Sequence, residues 1–172
     1  MRPGAHVRRA ATGAPPAGSR AVTVCGMSEN TERSVVVRRT AAGRFTATNP
    51  RGGTVDFSTS SGDGPDTAFT PVELLLAAIG GCTAADVDAA TGRHSEPDTF
   101  TVTVSGDKIS DHLGNRMTDL TVAFTVTFPD GEGAERARTV LPRAVRTSHE
   151  RLCTVSRTVE TGTPVTTTVN GA

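Results

Sequence analysis

Two cysteines in the body of this 172-residue chain, Cys82 and Cys153, are its most reactive side chains. A thiolate is a nucleophile toward peroxides and disulfides, and two thiols that meet can exchange an electron pair by closing to a disulfide. Taken alone, Cys82 reads first as a small buried hydrophobe, since it continues the apolar spacing of Leu75 and Ile79. Cys153 sits in a polar stretch, Ser148-His149-Glu150-Arg151-Leu152-Cys153, at an expected helix start. Thiol pKa falls at helix N-termini and beside Arg or His. His149 and Arg157, read locally, are ordinary solvated side chains. The third cysteine, Cys25, lies in a Pro-, Gly-, Ala- and Arg-rich N-terminal segment.

Other chemistries lack their residues. A zinc site takes about four ligands, usually with a short spacing. The body cysteines are 71 residues apart, and only His94, His112 and His149 accompany them there. Ser148-His149-Glu150 has the residue types of a hydrolytic triad, but sequence neighbours cannot adopt its geometry. No glycine-rich motif stands between a strand and a helix, as nucleotide binding requires. No bound cofactor is expected.

Charge narrows the partners. Arg2, Arg8, Arg9 and Arg20 lie in residues 1–26 with no acid, so the remainder of this net-neutral chain is mildly acidic. Such a body lacks the basic footprint that a phosphate backbone requires, so nucleic acid is excluded. No run approaches the roughly 20 apolar residues of a membrane span. Arg8-Arg9 is followed by no apolar segment, so an export signal is rejected and a cytoplasmic location is expected. Residues 1–26 read as a disordered tail, or as a mis-assigned start ahead of Met27. Residues 27–172 read as a single domain.

The elements that must position the thiols are legible from pattern. Residues 34–40, 43–48 and 54–58 read as short strands of an antiparallel meander, with a turn at Asn49-Pro50-Arg51-Gly52-Gly53. A Gly/Ser/Asp loop follows over 60–67. Thr70-Pro71-Val72-Glu73 then opens a helix with a capping box and an N1 proline, and Gly92 ends it. Its first half is apolar all round and should be enclosed. Gly80 and Gly81 inside it cost roughly 1 kcal/mol each relative to Ala, so a close approach by another group is expected there. Alternation predicts strands at 100–105 and 120–128. Helical spacing runs over 137–148, with a kink or restart at Pro142. A short helix near Cys153 and a closing strand over 165–169 complete an α+β fold with helices on one side of antiparallel sheets.

The residues also carry a resemblance. Thr70-Pro71-Val72-Glu73-Leu74-Leu75-Leu76-Ala77-Ala78-Ile79-Gly80-Gly81-Cys82-Thr83 resembles the first cysteine motif of the OsmC/Ohr family, the osmotically induced and organic-hydroperoxide-resistance proteins. His149-Glu150-Arg151-Leu152-Cys153-Thr154-Val155-Ser156-Arg157 resembles the second. The likeness covers roughly residues 34–169. Val72 stands where the hydroperoxide reductases carry Glu directly after the proline, and Thr154 where they tend to carry Pro. The chain thus looks closer to a less characterised branch of the family.

That resemblance implies a two-layer OsmC-like fold, with sheets packed on a long central helix in an intertwined homodimer. It implies a thiol peroxidase acting on small organic hydroperoxides in oxidative-stress defence. Cys82 would be the peroxidatic thiolate and Cys153 the resolving thiol, and a lipoyl-type dithiol would restore the pair. A mid-helix cysteine gains little from the helix dipole, so the family's activating arginine is required. Arg44 is the candidate, Arg39 and Arg51 its rivals, and Glu73 the acid near the helix start. Two alternatives use the same scaffold: a protein that binds a small apolar ligand with inert cysteines, and a redox sensor without turnover.

Overall fold

The computed structural model describes residues 31–59 and 67–171. Every helix and strand in it lies within the compact unit Ser34–Ala172. The expectations for residues 1–26, for Cys25 and for nearly all of the 60–67 loop lie outside the described residues.

Three short strands, β1 (Val36–Ala41), β2 (Arg44–Thr48) and β3 (Thr54–Ser58), form the antiparallel meander in sequence order. Gly43, at φ 68°, turns β1 into β2. Asn49 builds the next turn as its pattern predicts. Its Oδ1 accepts from the N–H groups of Arg51 and Gly53, and Gly52 takes the left-handed conformation at φ 86°.

Helix α1 (Pro71–Thr91) has the predicted boundaries. Thr70 accepts from the Glu73 N–H while the Glu73 carboxylate accepts from the Thr70 N–H at 2.7 Å, so two orphan donors of the first turn are satisfied reciprocally. Gly80 is buried because the strand that carries Val104 comes close: a Cβ there would lie 2.9 Å from Val104 Cγ2. A Cβ at Gly81 would meet open space. The helix is not enclosed within one chain. Only Ile79, Gly80, Thr83, Val87 and Thr91 are buried, and Leu75 is 36% exposed. By length and mean hydropathy α1 even reaches the range of a membrane-crossing helix, contrary to the sequence expectation, yet the following strand and the two later helices, residues 99–111, 132–147 and 154–161, pack upon it.

Strands β4 (Thr99–Asp111) and β5 (Gly114–Thr127) form a hairpin much longer than their apolar alternation predicts. The backbone ladder continues past the last alternating side chain to a two-residue turn, His112-Leu113. Asp111 holds that turn by accepting from the Leu113 N–H and from Arg116. His-Leu is not a residue pair that announces a hairpin. A bulge at Gly106 breaks the register midway, where a Cβ would press on Leu120 and the Thr118 carbonyl.

Helix α2 (Glu132–Thr147) runs unbroken through Pro142, correcting the expected restart. Pro142 is exposed, and its ring removes one N–H donor from the helix without ending it. Phe128, Ala134 and Ala137 form a buried cluster between the end of β5 and α2. The irregularity comes later, as one π-helical turn, Ser148–Leu152, which leads into α3 (Thr154–Thr161). The predicted strand over 165–169 does not form. Val165 and Val169 are 88% and 84% exposed, for alternation without a partner edge makes no ladder.

Candidate functional site

Cys82 lies on the face of α1 that also carries Ile79, Thr83 and Asp86, and this face meets the π-turn and α3. Cys153 reaches it from the other side. The π-turn closes with the Cys153 N–H donating to the Ser148 carbonyl at 2.9 Å, and the extra residue in that turn re-aims the chain toward α1. Ser148, completely buried, donates its hydroxyl to Asp86 at 2.7 Å.

Cys153 is fully enclosed and serves as the N-cap of α3, its Sγ accepting from the Ser156 N–H at 3.3 Å. As a thiol it donates to Ser156 Oγ at 3.1 Å; as a thiolate it accepts from that hydroxyl instead. Thr83 Oγ1 lies 3.5 Å from the same sulfur and 2.8 Å from the Ile79 carbonyl, so its one proton has two acceptors. Cys82, only half-buried, lies near enough to the Val155 and Thr154 N–H groups and to Cys153 for all three to act on its ionisation. Both sulfurs therefore sit at the N-terminus of α3, where unpaired N–H groups favour negative charge.

The two thiols differ in acidity. Burial raises Cys82 above the ordinary thiol range, the bond to Cys153 and its charge raise it further, and the α3 N–H groups offset only part of this. Burial also works against ionisation of Cys153, but the bonds from Ser156, Thr83 and Cys82 outweigh it and lower that thiol. Within one chain the enclosed Cys153 is therefore the more acidic thiol of the two.

The other predicted site residues stand apart. Arg44 lies on β2 and Arg39 on β1, with Arg51 in the β2–β3 turn; among the described residues no guanidinium acts on Cys82. Glu73 is engaged at the start of α1, its carboxyl held below the usual range by the Thr70 N–H and hydroxyl. It stands nine positions before Cys82, about 13.5 Å along the helix. His149 and Arg157 both pair with Glu160. Sequence reasoning missed Thr83, Asp86, Ser148 and Ser156. Asp86 follows Cys82 by four and Ser156 follows Cys153 by three, spacings that place side chains on one helix face or in a cap. Among the described residues no three His, Cys, Asp or Glu cluster as metal ligands.

Two cavities flank α1. One of about 450 Å³ lies against β4, between Leu76, Gly80, Phe100 and Val102. The other, about 560 Å³, is walled by Ile79, Phe124, Val145 and Val159. Thr83 and Ser156 line it as well, so it reaches the hydroxyls that touch Cys153; Arg146, His149 and Glu160 line it too. Of the two, this second cavity is the one that borders the groups around Cys153. The first uses the opposite face of α1.

A family model described as OsmC-like protein matches residues 63–168. An OsmC-like protein of unknown function from Vibrio cholerae is 18% identical, with a TM-score of 0.60 over 76% of this chain and 94% of its own. An OsmC-like protein from Mycoplasma pneumoniae is 12% identical, with a TM-score of 0.60 over 76% of this chain and 89% of its own. The organic hydroperoxide resistance protein OhrB of Bacillus subtilis is 19% identical, with a TM-score of 0.45 over 74% and 90% respectively. The first two likenesses show a shared fold. No curated protein matches by sequence.

Proposed function

Because this chain belongs to the OsmC-like protein family, whose members include hydroperoxide-resistance proteins, we propose that it is a thiol peroxidase reducing small organic hydroperoxides through Cys82 and Cys153. One observation supports this reading: two free thiols far apart in sequence come together at the N-terminus of α3, close enough for each to act on the other's ionisation, with Thr83 beside Cys82 at 3.5 Å from the Cys153 sulfur. Cys82 is the attacking sulfur, because it is accessible whereas Cys153 is enclosed. Its thiolate takes the terminal oxygen of the hydroperoxide, the O–O bond breaks, and the alkoxide leaves as an alcohol on protonation. Cys82 becomes a sulfenic acid. Cys153 then attacks that sulfur, a disulfide forms and water departs. An external dithiol, of lipoyl type, returns two electrons and two protons.

The acidity of the pair sets a requirement. Charge must move from Cys153 onto Cys82 before attack, and a cation beside Cys82 would achieve that. Arg44 of a second copy is the proposed source. The exposed apolar residues of α1 and the open space at Gly81 support a homodimer in which the copies cover each other's central helix. Such a pair would work in a cytoplasmic setting that keeps dithiols reduced.

A second reading, a binding protein for a small apolar ligand, draws support from the apolar cavity and the raised Cys82 thiol. A steady-state assay with cumene hydroperoxide and dihydrolipoamide decides between them. Multiple turnovers establish the peroxidase, a single oxidation without turnover leaves a sensor, and no oxidation leaves the binding protein.

A further inference from the structure

Closure of a disulfide depends on how the second thiol is held, and here that hold runs through a side-chain pair outside the thiols. Asp86 follows Cys82 by one helical turn on the same face of α1. Its Oδ2 accepts from the hydroxyl of Ser148 at 2.7 Å, across 62 residues of chain. Ser148 is completely buried, and its carbonyl accepts the Cys153 N–H that closes the π-turn. Its own N–H donates to the Ala144 and Val145 carbonyls at the end of α2. Ser148 is therefore the joint at which α2 stops, the π-turn begins, and α1 is gripped.

A π-turn is a rare departure from α-helical winding and persists where tertiary contacts hold it. Among the described residues, the Asp86–Ser148 bond ties this turn to α1 through side chains. Without it, the turn can relax to ordinary α-winding, which would rotate Cys153 away from Cys82. We propose that Asp86, acting through Ser148, is a positioning residue that holds Cys153 against Cys82 and sets the rate at which the two thiols close to a disulfide. This deepens the thiol-pair reading above and rests on it for its role in turnover, although closure itself can be followed without any peroxide.

The test uses the full chain and diamide, a diazene that accepts two electrons and two protons from a thiol pair. One thiolate adds to its N=N bond, and the second thiol displaces the resulting hydrazine as the disulfide forms. Acid quench and mass spectrometry separate the adduct from the disulfide in wild type, Asp86→Ala, Asp86→Asn and Ser148→Ala. Because misplacement by about 1 Å costs a reaction on the order of a hundredfold, closure in Asp86→Ala and Ser148→Ala is expected to slow by at least about tenfold. Adduct formation should stay near the wild-type rate. Asp86→Asn keeps an acceptor oxygen and should close within about threefold of wild type.

Wild-type closure in Asp86→Ala, or equal slowing in the Asn and Ala variants, overturns the proposal. So does equal slowing of adduct formation and closure, which indicates general loosening. If Asp86→Ala does not fold, the comparison rests on Ser148→Ala and Asp86→Asn. The predicted pattern with diamide in a chain that consumes no hydroperoxide supports the positioning role and overturns the peroxidase reading instead.

Discussion

Thr83 and Cys153 touch across 70 residues of sequence, hydroxyl to sulfur at 3.5 Å, and the threonine is the neighbour of the other thiol on α1. One helix thus presents both a thiol and a hydroxyl to the enclosed sulfur. That arrangement helps hold charge on Cys153, since a hydroxyl donor stabilises a thiolate more than a thiol.

Replacing Thr83 by Val keeps the shape and removes this donor. Cys153 should titrate at higher pH than in wild type, because its pKa is lowered in part by the Thr83 bond. Ultraviolet thiolate absorbance of Thr83→Val in a Cys82→Ser background, compared with Cys82→Ser alone, reads this directly. An unmoved titration would show that Ser156 suffices.

The two thiols should fail differently. Cys82→Ser is expected to consume no hydroperoxide even in a single turnover, since a hydroxyl is not ionised near neutral pH. Cys153→Ser should consume about one equivalent, stop as the sulfenic acid, and over-oxidise with excess peroxide. Mass spectrometry after one addition identifies the oxidised sulfur. Oxidation of Cys153 in the absence of Cys82 would reverse the roles, in line with the lower acidity of Cys82 in one protomer.

Arg44→Met should lower kcat/KM by on the order of a hundredfold, the scale of losing one preorganised charge from an active site. Arg39→Met and Arg51→Met should stay near wild type. If the arginine comes from the second copy, mixing the weakened Arg44→Met with inactive Cys82→Ser should raise activity above that of Arg44→Met alone as heterodimers form. No recovery after verified subunit exchange would place the activating group within the same protomer or on another residue.

The start of α1 is open to a stability test. Thr70→Ala should cost about 1 kcal/mol in denaturant unfolding, the usual worth of an N-cap. The folded Glu73 pKa is depressed by Thr70. Its contribution is therefore present above the ordinary carboxylate range and lost as pH falls through the folded value. Glu73→Gln should flatten the acid-side decline in Tm, and activity at neutral pH should change little if the residue only caps the helix.

Local chemistry made much of this protein legible in advance. Thr70, Pro71 and Glu73 announce the start of α1 and Gly92 its end, because capping involves groups within a few residues. Asn49 and Gly52 likewise announce the turn between β2 and β3. The two cysteine motifs marked the residues that meet. Where sequence reading failed, the deciding partner was distant or lacking. Alternation over 165–169 predicts a strand, but a strand exists only against another edge. The β4–β5 hairpin extends on backbone bonds that leave no mark in side-chain pattern.

By itself, then, the sequence determined the meander, the central helix with its caps and the cysteines worth following, for these depend on side-chain types and spacings along the chain. Only the tertiary structure decided which thiol is the more acidic and what grips it. The acidity of a sulfur is the balance of its burial against donors that fold in from α1, the π-turn and α3. Those donors, Thr83 and Ser156, and the Asp86–Ser148 tie behind them become neighbours of the thiols through packing across as many as 70 residues. No spacing along the chain encodes that distance.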